Sequence, residues 1–144
     1  MSAAELYERD YYEWTVRNAE LLRSGRVNEA DLQHIAQEIE YLGKRERREL
    51  LDRLSLLIAH LLKWKAQSAR QSHGWELTIR VQRKDLAKLL SENPSLRLDL
   101  EKNLPEAYER AMEEGMTETG LPESHFPSTC PFALDVLLDL DFLP

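Results

Sequence analysis

Glu49-Leu50-Leu51-Asp52-Arg53-Leu54-Ser55-Leu56-Leu57-Ile58-Ala59-His60-Leu61-Leu62-Lys63-Trp64 is the stretch on which the fold turns. Leu50, Leu54, Leu57, Ile58, Leu61 and Trp64 recur every three or four positions, the period of one face of an α-helix rather than the alternation of a strand. Ser55 and His60 interrupt the run, and from Leu54 to Leu62 it falls far short of the ~20 apolar residues that span a bilayer. A buried helix is therefore predicted, and nothing that crosses a membrane.

Upstream, the same period continues. Leu32, Ile35, Ala36, Ile39 and Leu42 form the expected buried stripe of a preceding helix, with Asn28 as its N-cap, Asp31 at N3 and Val27 stapled to Leu32. Gly43 marks a break or a bend between the two, and a single helical glycine costs only ~1 kcal/mol, so either outcome is open. The first helix is expected to start at a capping box, Ser2 with Glu5, and to stop at Gly25. Tyr7, Tyr11, Trp14, Asn18, Leu21 and Leu22 share its core side.

Downstream, Gln71-Ser72-His73-Gly74 reads as a turn with Ser72 as cap, followed by a helix to about Glu92 that buries Trp75, Ile79, Leu86, Leu89 and Leu90. Asn93-Pro94 is expected to open the next helix, with proline at its first position. Pro105 cannot donate to the carbonyl of Glu101, so a kink or break is predicted there before the helix resumes through Ala107, Tyr108, Ala111 and Met112 and ends at Gly120. An extended segment, Leu121 to Pro131, then leads to a short helix over Phe132 to Leu138 and an apolar tail, Phe142-Leu143-Pro144. No period-2 run or internal repeat competes with this reading. The fold class is all-α: a compact single-domain bundle of about five to six helices over residues 1–144, with an extended C-terminal segment, a short last helix and a docked tail. At this length folding removes roughly 68–70% of the surface that the unfolded chain exposes, enough for a core without staples.

One cysteine, Cys130, excludes an internal disulfide and points to a reducing compartment, and the N-terminus lacks a secretory pattern. A cytoplasmic protein is expected. Net charge is −7, but it is unevenly spread: residues 1–43 carry −5, residues 44–90 carry +7 and residues 91–144 carry −9. Surface ion pairing among these segments is one reading; a basic face open to an anionic partner is the other.

The strings Asp10-Tyr11-Tyr12-Glu13-Trp14, Gln37-Glu38-Ile39-Glu40-Tyr41-Leu42-Gly43, His60-Leu61-Leu62-Lys63-Trp64 and Trp75-Glu76-Leu77-Thr78-Ile79-Arg80 stand in a recognisable order. So do Asn93-Pro94-Ser95-Leu96, Ala107-Tyr108, Thr119-Gly120-Leu121, Phe126-Pro127-Ser128-Thr129-Cys130-Pro131 and Leu137-Leu138-Asp139-Leu140-Asp141-Phe142-Leu143-Pro144. In order and spacing, and over essentially the whole chain, they resemble the bacterial family called "domain of unknown function 29". The resemblance implies a small all-helical fold in a bacterial setting. It supplies no activity, cofactor or catalytic residue. Pro105 falls inside what the family pattern reads as one long helix.

Four sets of residues carry candidate chemistry. Asp10, Glu38, His60 and Arg80 form a candidate polar cluster, in which Asp10 and His60 act as base and orienting group or as metal ligands. The plainer alternative makes Asp10 and His60 separate hydrogen-bonded pins. Arg45, Arg47, Arg48, Arg80, Arg83, Lys84 and Lys88 are candidate anion-binding groups, the last four expected opposite the core face of their helix. Asp31, His34 and Glu38 have i, i+3, i+7 spacing that can converge on a metal, but wheel angles place them toward solvent, and no inward Glu-x-x-His motif accompanies them. No metal or other cofactor is expected. Cys130, with a helix N-terminus after it and His125 before it, is a candidate thiol. None of these sets is complete as a catalytic constellation. The expectation is a non-enzymatic protein-interaction or regulatory module, binding another protein or itself. A nucleic-acid-binding protein using the basic 44–90 segment is the alternative, and a metal- or thiol-dependent enzyme ranks last.

Overall fold

The chain builds seven α-helices and no strand, the all-α class that the periodicity requires. They are α1 (Ala3–Arg9), α2 (Tyr11–Arg23), α3 (Leu32–Ala66), α4 (His73–Glu92), α5 (Leu96–Lys102), α6 (Leu104–Thr119) and α7 (Leu134–Leu137). A computed structural model describes residues 1–144. Their contacts fall into two units, Met1–Glu46 and Arg47–Pro144, and α3 contributes residues to both.

In the first unit the expected capping box forms: the Ser2 hydroxyl accepts from the Glu5 N–H at 3.3 Å, and the Ser2 N–H donates to the Glu5 carboxylate at 3.0 Å. The helix does not then run unbroken to Gly25. Asp10, at φ −150° and ψ 88°, leaves helical geometry, closes α1 and caps α2 by accepting from the Glu13 N–H at 3.1 Å. Asp10-x-x-Glu13 is a second N-terminus signature lying inside what looks like one helical period. Gly25 ends α2 as predicted, at φ +78°. Its N–H reaches the Leu22 carbonyl at 3.1 Å and the Arg26 N–H reaches Leu21 at 2.8 Å, the paired bonds of a Schellman stop.

The expected entry at Asn28 is corrected. Val27–Glu29 is a single 3-10 turn, and α3 starts at Leu32, with the Asp31 carboxylate accepting from the His34 N–H at 3.4 Å. Asp31 is also tied to Trp14 and Asn18, and those bonds fix where the backbone turns helical. Gly43 causes no break, since α3 continues through it for 35 residues in all.

The second unit is organised by α3's apolar stripe. Leu50, Leu54, Leu57, Ile58 and Leu61 are fully buried, each contributing roughly 1.5–3 kcal/mol by leaving water. Ser72 caps α4 by accepting from the Trp75 N–H, as predicted, and Ile79 and Leu86 meet the core. Pro94 lies in the turn before α5 rather than at its first position. Asn103 separates α5 from α6 and leaves Pro105 in the first turn of α6, where a missing N–H costs nothing. Ala107, Tyr108, Ala111 and Gly115 give α6 a face of mostly small residues, and the Phe126 ring packs on Gly115. Gly120 ends α6 at φ +70°. The following segment is extended except for a 3-10 turn at Glu123–His125, and α7 covers only Leu134–Leu137. The tail docks as expected: Phe142 meets Phe132 edge-on at 5.9 Å.

Candidate functional site

The first unit contains a buried polar network that wheel angles alone did not place. Trp14 is 4% exposed, and a buried indole N–H needs an acceptor. Asp31, itself buried, accepts from Trp14 Nε1 at 2.9 Å and from His34 Nδ1 at 2.6 Å through the same oxygen, Oδ2. Asn18 completes the knot: its Oδ1 accepts from the Asp31 N–H at 2.8 Å, and its Nδ2 donates to the Trp14 carbonyl at 2.9 Å. Burial alone would raise the Asp31 carboxyl, but the Trp14 and His34 hydrogen bonds outweigh it and hold the group below its ordinary value. The ring of His34 stacks on Tyr7 with centroids 3.9 Å apart and planes 14° from parallel. Tyr7 in turn donates to Glu38 Oε1 at 2.7 Å, and that carboxylate pushes the Tyr7 phenol up to about 12.

Asp31, His34 and Glu38 were expected to face solvent; instead they turn toward α1 and α2. The reason is that two large aromatic side chains with polar handles, Tyr7 and Trp14, bring acceptors inward. The consequence falls on the stripe expected to be core. Leu32 is 51% exposed, Ile39 62% and Leu42 55%; Ala36 is also exposed and Ile35 is half-buried. On the first unit's other helices Tyr11, Tyr12, Val16 and Leu22 are exposed too, so the expected core side there shrinks to Trp14, Asn18, Leu21 and half-buried Tyr7.

The four residues of the candidate polar cluster are each held by a different partner. Asp10 caps α2, Glu38 accepts from Tyr7, His60 Nδ1 lies 3.0 Å from the Leu56 carbonyl one turn back, and Arg80 lies 3.6 Å from Glu76. Each of these attachments lies within the residue's own unit. Burial pushes the half-buried His60 imidazole down, away from its charged form.

The candidate anion-binding groups divide. Arg45, Arg48, Lys84 and Lys88 are exposed, Arg80 is exposed beside Glu76, and Arg47 pairs with Asp99 on α5 at 2.7 Å. Arg83 was placed on the outer face and is corrected: it is 1% exposed. It stands four residues after Ile79 and three before Leu86, on the apolar stripe itself, and that spacing was the available signal. Its Nε donates to the Leu137 carbonyl at 2.8 Å and its Nη1 to the Phe142 carbonyl at 2.5 Å, so it clamps the tail. Lys63 is a second buried cation that the sequence reading missed. It is 2% exposed, paired with Glu118 on α6, and its Nζ lies 5.6 Å from the centroid of the Trp75 ring. No spacing in the chain links Lys63 to Glu118, 55 residues away.

Cys130 is half-buried, with Sγ 3.4 Å from the Phe132 carbonyl, and burial pushes its thiol up, the opposite of what a reactive thiolate requires. The helix that follows it, α7, has four residues and starts at Leu134, too short and too far on to activate it. No group of three His, Cys, Asp or Glu side chains is arranged to hold a metal ion. No helix is long and apolar enough to cross a membrane.

These features define a class: an all-helical chain whose buried polar groups fasten helices and whose first unit presents apolar side chains outward. The chain belongs to the family described as "Domain of unknown function DUF29", which matches residues 6–143. No curated protein and no solved structure matches it.

Proposed function

We propose that the protein is a non-enzymatic interaction module that docks an apolar face of another protein, or of a second copy of itself, on the outward stripe of Leu32, Ala36, Ile39 and Leu42. The observation that carries this reading is the inverted polarity at the start of α3: Asp31, His34 and Glu38 are spent inward while Leu32, Ile39 and Leu42 stay more than half exposed. Burying such side chains is worth roughly 1.5–3 kcal/mol each, a gain left for association rather than for folding. A contiguous apolar patch of that kind is characteristic of a contact surface.

The experiment compares the wild-type chain with an Ile39→Asp, Leu42→Asp double variant. Both sites are exposed, so the unfolding free energy is expected to stay within about 0.5 kcal/mol of wild type for each site. Self-association in sizing chromatography, or co-purification with a defined host protein, is expected to disappear in the variant. A wild-type chain that runs as a free monomer and retains no host protein removes the proposal.

A further inference from the structure

The outward face of α3 in the first unit is an ordered seam rather than a scatter of apolar side chains. Leu32, Ala36, Ile39 and Gly43 follow one another at intervals of four, three and four residues, the spacing at which two packed helices keep one line of contact. All four are exposed, Leu32 and Ile39 by more than half, and a Cβ added at Gly43 would meet nothing within 4 Å. Size alternates along the line: large, small, large, small. The unit behind it, Met1–Glu46, buries only four apolar side chains, Ala3, Leu6, Trp14 and Leu21, and contains no cysteine to staple it. Cores that small are commonly completed by a staple, a metal or a further chain.

Resting on the docking role proposed above, we infer that the occupant of this seam is a second copy of the chain, whose own residues 32–43 lie antiparallel on it about a two-fold axis. Reversal of the alternation selects that partner. An antiparallel copy sets Leu32 against the second copy's Gly43 and Ile39 against its Ala36, and the axis repeats both layers, so every large side chain enters a space left by a small one. A parallel copy sets Leu32 on Leu32 and Gly43 on Gly43, layers alternately overfull and empty. The flanks agree: the same antiparallel register brings Ile35 beside Leu42 and Glu40 beside Gln33, with no like charges opposed. Glu46, next in the spacing, ends the apolar line. Twelve residues of helix give a contact about 18 Å long, so the dimer is expected to be reversible and concentration-dependent.

The test is sedimentation equilibrium of the full chain over a wide concentration range, beside Gly43→Leu and the double variant Leu32→Ala, Gly43→Leu. Both positions are exposed, so each variant's monomer is expected to fold as wild type does. Wild type is expected to dimerise. Gly43→Leu makes the surface more apolar but fills the space that the second copy's Leu32 enters, and is expected to weaken the dimer about tenfold or more. Leu32→Ala in the same chain puts a small residue opposite the large one again, and is expected to return the affinity to within about threefold of wild type. A parallel pair or an unspecific apolar patch would answer Gly43→Leu by tightening. A wild type that is monomeric at every concentration overturns the proposal; if that monomer still retains a host protein that Ile39→Asp, Leu42→Asp releases, the broader docking role stands without it. Gly43→Leu associating as tightly as wild type or more so, or a double variant no stronger than Gly43→Leu, overturns it equally.

Discussion

Residues 32–46 and 47–66 belong to one uninterrupted helix, yet they use it in opposite ways. In the later half the apolar stripe is inward, with Leu50, Leu54, Leu57, Ile58 and Leu61 wholly removed from water. In the earlier half His34 and Glu38, with Asp31 just ahead of them, are turned in, and Leu32, Ile39 and Leu42 are turned out. Hydrophobic period sets that a segment is helical, but the elements packed on it decide which face is buried. Where the neighbours bring aliphatic and small residues, as α6 does, the apolar stripe goes in. Where they bring Trp14 and Tyr7, each with a donor to satisfy, the carboxylates go in.

The contrast is broken most severely in the later half. Leu57→Ala is expected to destabilise the second unit by about 2–5 kcal/mol, read by denaturant unfolding, because a fully buried side chain leaves a cavity. Ile39→Ala, in the earlier half, is expected to change stability by no more than about 0.5 kcal/mol. A large loss there would mean that the stripe is core after all.

Trp14→Phe comes next in size. It keeps most of the packing but strips a donor from a buried carboxylate, an expected loss of about 1–3 kcal/mol. Amide exchange in α1 and α2 should rise, and the Asp31 carboxyl, followed by NMR, should move up. In the wild type, Asp31 titrates below its ordinary value, so its contribution is present above about pH 3.8 and lost as pH falls through the depressed folded value. Acid should therefore loosen the first unit's tie to Asp31 only in that low range.

Gly43→Ala sharpens the comparison from the other side. The position is helical, and an added Cβ meets nothing within 4 Å, so a gain of about 0.4–1 kcal/mol is expected from the stiffer unfolded chain. The smallest effect is alkaline. Tyr7 keeps its proton up to about 12 in the folded chain, so its bond to Glu38 contributes below pH 10 and is lost as pH rises from there toward 12. Tyrosinate absorbance should show Tyr7, Tyr11 and Tyr108 titrating late, and Glu38→Gln should bring the first two forward.

Helices, caps and stops were largely legible: Ser2 and Glu5, Gly25, Ser72, the break beside Pro105 and Gly120 all do what local chemistry dictates. The break at Asp10 was legible too, as a second Asp-x-x-Glu signature, but the continuing aromatic period masked it. What the sequence could not display was pairing at long range. Asp31 meets Trp14 from 17 residues away, Tyr7 meets Glu38 from 31 and Lys63 meets Glu118 from 55. No rule of local spacing orients a side chain toward such a partner. Arg83 is the instructive exception, since its place between Ile79 and Leu86 put it on the buried stripe, and only its charge argued otherwise.

Arg83 also sets a temporal condition on the chain. The carbonyls that receive its Nε and Nη1 belong to Leu137 and Phe142, 54 and 59 residues further along. Until that segment folds back onto α4, neither bond exists and the guanidinium is unanswered. Residues 137–142 are therefore a latch, closed only after the sequence between has been laid down.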